Sequence, residues 1–196
     1  MLSKLKNEKE DPRVTRTRNL ILGAFTELLI EKGFQSLTVQ DITEKAGINR
    51  ATFYKKHFTD KYALLNYSIQ QMFRQEIEKR MLDACHYSDE NLKALIVMVC
   101  DFVSNANLHC RPANPQFESL VEAQVKNQLQ GLLEVWLEKE GSAIDPKTAA
   151  TAASWAIYGL VLQWTRDKSK KKPSAENFAD KVLPLIASNL RFAQPT

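Results

Sequence analysis

The amino-acid sequence predicts an all-α protein. Apolar residues recur every three or four positions along most of the 196-residue chain, and no segment has the period-two alternation of a half-buried strand. The chain contains only six glycines and seven prolines, fewer than a turn-rich all-β protein requires. No apolar run approaches the ~20 residues of a membrane-spanning helix. We therefore expect a helical protein that has no contact with a membrane.

The first helix is predicted to begin at Asp11 and Pro12, because an acidic cap followed by proline at the first helical position is a common start signal. Gly33 is expected to end this helix. Between these points one face is apolar at helical spacing, and it comprises Val14, Leu20, Ile21, Ala24, Phe25, Leu28 and Leu29. The pattern predicts a helix that buries one face.

The stretch around Gly47 is the most informative part of the chain, because it has the signals of two short helices and a tight turn. Thr38 and Asp41 form a capping pair for the first of these helices, and Asn49 caps the second. Glycine suits the turn because it tolerates positive φ. Two short helices joined by about three or four residues form the helix-turn-helix unit, whose second helix lies in the major groove of DNA. Residues 38–57 therefore predict DNA binding.

The charge distribution agrees with this interpretation. Residues 1–61 hold twelve Lys and Arg against eight Asp and Glu, whereas the remaining residues hold fifteen of each. A basic first third on a neutral body is typical of a protein whose head binds a polyanion. We expect a flexible basic N-terminus at 1–11, a DNA-binding domain at 12–58 and a helical regulatory and dimerisation domain at 59–196.

A long helix is predicted to connect this head to a helical body, from Thr59 and Asp60 to about Ala84. The stretch Asn105–Pro115 is expected to be an irregular break, and Lys168–Pro173 a solvated basic loop. Further helices are predicted from Ser88-Asp89 through Phe102, from Phe117 to Glu140 with Gly141 as its end, over Ala149–Thr165 after Asp145-Pro146, and from Ser174 through Leu190.

Enzymatic and metal-binding functions have little support in the sequence. No nucleophile elbow, phosphate-binding loop or paired-histidine helix is present. The three cysteines, Cys85, Cys100 and Cys110, form neither a disulfide framework nor a zinc pattern, and His109 beside Cys110 fits no known metal site. We expect a cytoplasmic protein with no signal peptide, no metal and no cofactor.

Residues 13–68 resemble the TetR family of bacterial regulators. The resemblance rests on RTRNLILGAFTELLIEKGFQSLTVQDI, AG, ATFY and HF, followed by Lys61 and Leu64-Leu65; the segment Ala153–Trp164 (ASWAIYGLVLQW) is also similar to the family's penultimate helix. The resemblance implies a homodimeric repressor. Its head would comprise the first three helices, and its body would hold an inducer pocket and pair through the last two helices, at 145–165 and 174–191.

The sequence departs from the family pattern at one point. The family has one residue between the aromatic Tyr and His-Phe, whereas here both Lys55 and Lys56 stand between Tyr54 and His57. An extra residue within a helix rotates everything after it by about 100°, and the following turn is expected to absorb it. Either lysine therefore remains a candidate for the family's contact position.

Helical geometry predicts which residues face DNA. Phe53 is the only large apolar side chain of the second short helix apart from the flanking Tyr54, so it should point into the head. Ala51 and Lys55, two positions away on either side, should point outward. Arg50 has a fork that suits guanine, and Ala51 leaves room for close approach. The expected DNA contacts are Thr38, Gln40, Asn49, Arg50, Ala51, Thr52, Tyr54, Lys55, Lys56, His57 and Lys61.

Specific contacts with DNA are expected for Thr38, Gln40 and Lys61. Thr38 is expected to offer its hydroxyl and nearby amides to a phosphate. The resemblance implies that Gln40 reaches DNA and that Lys61 contacts its backbone. Lys56 and His57 also have ordinary alternatives, as a solvated lysine and a packed histidine.

The sequence indicates an effector site less clearly than the DNA-binding site. Aromatic residues of the body are candidates for a small-molecule pocket, although such residues more often serve in core packing or dimer contacts: Phe102, Phe117, Trp136, Trp155 and Tyr158. Gly159 lies one helical turn after Trp155 and marks a candidate dimer face. The expected partners are a double-stranded DNA operator, a second copy of the chain and an unidentified small molecule. A chromosome-organising protein with the same kind of head remains the alternative.

Overall fold

The computed structural model describes residues 11–79, 86–109, 115–140 and 145–191. These residues form helices and no strand, which confirms the predicted all-α class. The eight helices are α1 (Pro12–Ser36), α2 (Val39–Lys45), α3 (Arg50–Lys56), α4 (Lys61–Lys79), α5 (Asp89–His109), α6 (Pro115–Glu140), α7 (Pro146–Arg166) and α8 (Ala175–Arg191).

Helix starts follow the predicted capping signals closely. An Asp11 carboxylate oxygen accepts a hydrogen bond from the Arg13 amide at 2.9 Å, and Pro12 occupies the first helical position of α1. Asp145 caps α7 in the same manner, through the Thr148 amide at 3.0 Å. Because proline lacks the amide proton that the first turn leaves unbonded, the acid–proline pair suits both starts.

Other boundaries differ from the predictions. Gly33, with φ at 73°, leaves helical conformation, but a further helical turn follows it to Ser36. The cap of α4 is Asp60, which accepts the amides of Tyr62 and Ala63 at 2.8 Å each. The predicted end of this helix at Ala84 lies outside the described residues, as does Gly141.

The break predicted at Asn105–Pro115 is wrong in its first part. Helix α5 continues through Asn105 to His109, and α6 already begins at Pro115. Asparagine lowers helix propensity only slightly, and proline is well tolerated at a first helical position, so neither residue stops a helix that packs well. Residues 110–114 lie outside the described part of the chain.

Packing divides the chain into two compact units. The first comprises the described residues up to Gln71 together with those of Leu108–Glu118, and the second comprises the remainder. The division falls inside α4, and it also assigns the first turn of α6 to the first unit. The functional domain boundary expected after residue 58 stays a prediction.

The first unit is built around α1. Its buried face presents Ile21, Phe25 and Leu28, as the helical spacing predicts, whereas Leu20, predicted on the same face, is 49% exposed. Phe53 from α3 is completely buried, and its ring lies 5.6 Å from that of Phe58. Because α2 and α3 are only seven residues long, they depend on this shared core for their stability.

The second unit has Trp136 of α6 at its centre, completely buried. Helices α7 and α8 pack on each other, and the loop between them is held by Trp164, whose indole nitrogen donates to the Pro173 carbonyl at 3.0 Å. The ammonium of Lys172 lies 3.9 Å from the centroid of the Trp164 ring. The loop expected to be solvated is therefore anchored at Lys172.

Candidate DNA-binding surface

The turn between α2 and α3 has the geometry predicted for it. The Thr38 hydroxyl accepts the Asp41 amide at 3.1 Å while an Asp41 oxygen accepts the Thr38 amide at 2.8 Å, so the capping box is complete. Gly47 has a φ of 65°, in the left-handed region. The Asn49 side chain then accepts the Ala51 amide at 2.7 Å and starts α3. Thr38, Asp41, Gly47 and Asn49 each have a local structural role in the turn or in a helix cap.

Helix α3 presents one face to the core and the opposite face to solvent. Phe53 fixes the buried side, where its ring also meets Tyr54 edge-on at 5.4 Å. Tyr54 nevertheless remains 44% exposed. The residues exposed to solvent on α3 are Arg50, Ala51, Tyr54, Lys55 and Lys56, and Thr52 is half-buried. The outward orientation predicted for Ala51 and Lys55 is confirmed.

The cations of α3 differ from those around it in their partners. Lys32 lies 2.8 Å from an Asp41 oxygen, and Lys45 lies 2.6 Å from Glu31 and 3.0 Å from Glu27. The hydrogen bonds to these two glutamates raise the pKa of Lys45 above its usual value. In the described part of the chain, no carboxylate pairs with any of the three α3 cations, Arg50, Lys55 and Lys56. Their charge is available to an external anion.

Two residues at the start of α2 that are expected to contact DNA, the cap Thr38 and Gln40, have intramolecular partners. The Thr38 hydroxyl donates at 2.7 Å to the Asp41 oxygen that also accepts the Thr38 amide, and the Gln40 amide donates to Glu44 at 2.8 Å. Hydrogen bonds from Lys32 and Thr38 lower the pKa of Asp41 to about 2. Both Thr38 and Gln40 remain exposed, and their contacts to DNA stay predictions.

His57 terminates α3. Its backbone has φ of −127° and ψ of −64°, outside helical conformation, and its amide donates to the Phe53 carbonyl at 3.1 Å. The ring is half-buried and lies 6.3 Å from that of Phe58. This placement matches the packed histidine that was the ordinary alternative to DNA contact.

Lys61 has partners that sequence reasoning missed. Its ammonium donates to the main-chain carbonyls of Phe34, Gln35 and Leu37, at 3.0, 3.3 and 2.9 Å respectively. Burial lowers the pKa of Lys61. A sequence offers no local signal for such contacts, because the carbonyls lie 24 to 27 residues before the lysine.

The aromatic residues expected to line an effector pocket pack against different neighbours. Phe117 belongs to the first unit, where its ring lies 5.2 Å from that of Phe34, and the other four belong to the second. Phe102 packs on Phe73 at 5.3 Å, and Trp136 lies 6.4 Å from Tyr87. The roles of these five residues in binding an effector stay predictions.

Trp136 and Trp155 lie in opposite environments. The indole nitrogen of Trp136 is buried, and no acceptor lies within hydrogen-bonding distance among the described residues. Trp155 is 61% exposed and lies at an open depression along α7 that Thr148, Thr151 and Ala152 also line. The ammonium of Lys126 lies 3.4 Å from the Trp155 ring centroid and 6.0 Å from that of Tyr158. Trp155 thus belongs to the surface of the second unit.

Neither a metal site nor a membrane span is found in the part of the chain that the structure describes. No group of three His, Cys, Asp or Glu side chains there has the geometry to hold a metal ion. None of its helices is both long and apolar enough to cross a bilayer. Cys100 is buried, and burial raises the pKa of its thiol to about 12.

Comparison with known proteins agrees with the geometry of the head. Residues 21–67, which contain α2, the turn and α3, match the family model described as bacterial regulatory proteins of the tetR family. Residues 21–67 therefore carry the DNA-binding region of the TetR family. Over 67 residues it is 43% identical to the uncharacterized HTH-type transcriptional regulator YxbF of Bacillus subtilis. That match covers 34% of this chain and only 17% of the relative.

Solved structures extend the similarity to the whole fold. A TetR-family regulator from Streptomyces coelicolor superposes with a TM-score of 0.63 and 17% identity, over 92% of this chain and 98% of the other. FadR from Bacillus subtilis, solved in complex with stearoyl-CoA, gives a TM-score of 0.52 and 20% identity, over 87% and 98% of the two chains. At such identities these TetR-like structures establish the fold alone.

Proposed function

We propose that this TetR-family protein is a transcriptional repressor that binds a palindromic operator as a dimer and is released by a small molecule. The observation that carries the proposal is the exposed face of α3, where Arg50 and Lys55 have no anionic partner among the described residues. In a helix-turn-helix unit the second helix lies in the major groove of DNA. Cations on that helix can bind base edges in the groove and the phosphates beside it.

Within α3, helical geometry favours Lys55 over Lys56 as the contact. Successive residues are 100° apart, so around the helix Lys55 is separated from the buried Phe53 by about 160° and Lys56 by only about 60°. Both lysines lie within the regular helix, and the chain leaves it at His57. Lys55 therefore points away from the head, together with Ala51, whereas Lys56 lies nearer its flank.

The proposed dimer pairs α7 and α8 of two copies. Each of these helices carries a large apolar side chain exposed to solvent, Trp155 at 61% and Leu185 at 57%. Exposed apolar groups of this size commonly mark a surface that another protein covers. A second copy is the fitting occupant, because a palindromic operator requires two heads.

The proposed effector binds in the second unit and acts through α4. The buried indole nitrogen of Trp136 would be satisfied by a ligand that carries a hydrogen-bond acceptor. The binding of stearoyl-CoA by the structurally similar FadR makes an acyl-CoA one candidate class. Helix α4 contributes residues to both units and directly follows the head, so it is the proposed element through which the ligand would act on the head.

Selection from a library of random duplexes tests the DNA-binding part of the proposal. We expect recovery of an inverted repeat whose half-site centres are separated by ~34–36 Å or by a multiple of that distance. The reason is that the two α3 helices of a dimer, its recognition helices, contact the same face of the duplex. Recovery of sequences without a common motif would reject a site-specific repressor and favour the chromosome-organising alternative.

A further inference from the structure

Lys61 occupies a position where its ammonium is fully engaged inside the first unit. The group has three N–H donors, and three main-chain carbonyls lie within reach: Phe34 at 3.0 Å, Gln35 at 3.3 Å and Leu37 at 2.9 Å. Its Nζ also lies 4.8 Å from the centroid of the Phe34 ring. A phosphate contact would require the ammonium to give up at least one of these partners.

The carbonyls of Phe34, Gln35 and Leu37 favour a cation at the position of the Lys61 ammonium. They follow Gly33, where φ of 73° takes the chain out of helical conformation, and they end at Leu37, directly before the cap of α2. Carbonyls at the end of a helix lack amide partners and carry partial negative charge. A lysine ammonium near such carbonyls satisfies them and interacts favourably with the helix dipole.

Resting on the proposed function, we propose that Lys61 is a positioning residue for DNA binding and not a phosphate contact. Through the three carbonyls, the first turn of α4 is attached to the segment that joins α1 to α2. Leu37 immediately precedes Thr38, whose capping box with Asp41 orients α2, and α2 in turn packs with α3. Lys61 thus sets the orientation of the recognition helix relative to α4.

The same connection makes Lys61 part of the response to an effector. A displacement of the first turn of α4 either carries the α1–α2 segment with it or breaks charged hydrogen bonds. Because bonds to a charged donor are stronger than neutral ones, the segment follows the helix. Motion of α4 is therefore transmitted to the start of α2.

Lys61→Met, which keeps an unbranched apolar side chain of similar length and removes the ammonium, tests the proposal. Lys55→Met is the matched control, because it removes an exposed cation of α3. The measurements are the melting temperature without DNA, the salt dependence of binding to a mixed-sequence 30-bp duplex, and the ratio of affinities for the selected operator and that duplex. Binding is measured well below the melting temperature of each variant.

We expect Lys61→Met to lower the melting temperature by roughly 5 °C and the affinity ratio roughly tenfold, with the salt slope unchanged. Lys55→Met should leave the melting temperature unchanged and lower the salt slope by about one per protomer. A salt slope lowered by about one in Lys61→Met would overturn the proposal. An unchanged melting temperature, or an unchanged affinity ratio in a destabilised variant, would also overturn it.

The melting measurement separates this proposal from the proposed function. If the wild-type chain bound no DNA at all, the repressor function would fail. The positioning proposal rests on that function and would be overturned with it, whereas a lower melting temperature of Lys61→Met would still show the three-carbonyl contact. If the wild type binds its operator and Lys61→Met behaves like Lys55→Met, only the positioning proposal fails.

Discussion

The ammonium of Lys126 lies 3.4 Å from the centroid of the Trp155 ring and 2.7 Å from a carboxylate oxygen of Glu122. Lys126 and Glu122 are one turn apart on α6, whereas Trp155 belongs to α7. The Lys126 ammonium contacts the Trp155 ring, yet the Trp155 side chain remains 61% exposed. A cation binds an aromatic face without excluding water from the rest of the ring, so Trp155 keeps apolar surface exposed on α7. In the proposed dimer, a second copy would cover this surface.

Trp155→Glu is expected to convert the proposed dimer into a monomer at micromolar concentration, since a carboxylate buried at a dimer contact would have to be desolvated. Sedimentation velocity measures the change. Ile30→Glu is the control, because Ile30 is similarly exposed, at 53%, but lies on α1. Equal sedimentation of wild type and Trp155→Glu would contradict a dimer contact at this residue.

The pairing of Asp41 with Lys32 and Thr38 predicts a pH-dependent contribution to stability. The pKa of Asp41 is lowered from 3.8 to about 2, so its ionised form stabilises the fold above pH 4, and this contribution is lost as the pH falls toward 2. Asp41→Asn should therefore lower the melting temperature at pH 7, and the difference from wild type should shrink in acid. Glu44→Gln, on the same helix, is the control.

Thermal unfolding at several pH values measures both variants. A difference between Asp41→Asn and wild type that stays constant from pH 7 to pH 2 would contradict the ion pair as its source. The amide of asparagine keeps an acceptor for the Thr38 amide, so the comparison isolates the charge of Asp41 rather than the whole capping box.

The head could be predicted from the sequence in more detail than the rest of the chain. Thr38, Gly47 and Asn49 act on neighbours two to three residues away, and short-range capping and turn preferences determine their conformations. The position of Phe53 followed because a seven-residue helix with one large, fully apolar side chain has a single choice of buried face.

Contacts between distant segments could not be predicted in this way. Lys61 carries the local signature of an exposed cation in a first helical turn, and nothing near it in sequence indicates the carbonyls of Phe34 and Leu37. Trp136 and Trp155 have similar helical surroundings in sequence, yet one is buried and the other exposed. Tertiary packing, rather than periodicity, decides which of two apolar faces reaches the core.

Lys55 and Lys56 should differ in their effects on DNA binding. Lys55→Ala is expected to lower the salt slope of binding by about one per protomer and to weaken binding to operator and mixed-sequence DNA alike. Lys56→Ala, its matched control, should change the slope little, because Lys56 lies nearer the buried side of α3. Titrations at several salt concentrations by fluorescence anisotropy measure both. The opposite order would place Lys56 in the contact position.

Arg50 is expected to read a base rather than the backbone. Arg50→Ala should cost on the order of 1–3 kcal/mol per half-site and relax the preference at one base pair of the operator, since a guanidinium fork bonds two acceptors of guanine. Affinities for operators changed at each position in turn measure the effect. Arg50→Lys is the informative companion, because it keeps the charge and loses the fork. Equal loss of affinity for operator and mixed-sequence DNA would contradict base readout.

Induction requires a ligand that prefers one state of the protein. The proposed effector binds the second unit, shifts α4 and changes the separation of the two recognition helices in the dimer. Because the operator fixes that separation at ~34–36 Å or a multiple of it, a shift of a few ångströms loses contacts at both half-sites. A ligand with equal affinity for both states would release nothing, however tightly it bound.

Thermal-shift screening of acyl-CoA thioesters and of apolar and cationic small molecules, followed by operator titration, tests this mechanism. We expect a ligand that stabilises the protein and weakens operator binding at saturation. Trp136→Phe, which removes the buried indole donor and keeps an aromatic ring, should weaken that ligand roughly tenfold and leave the unliganded affinity for the operator unchanged. Trp164→Phe is the control, because it makes the same substitution in the same unit at an indole whose nitrogen already donates to the Pro173 carbonyl. Ligands that stabilise the protein but leave operator affinity unchanged at saturation would contradict induction through α4, and unchanged ligand affinity in Trp136→Phe would exclude the indole as their hydrogen-bond donor.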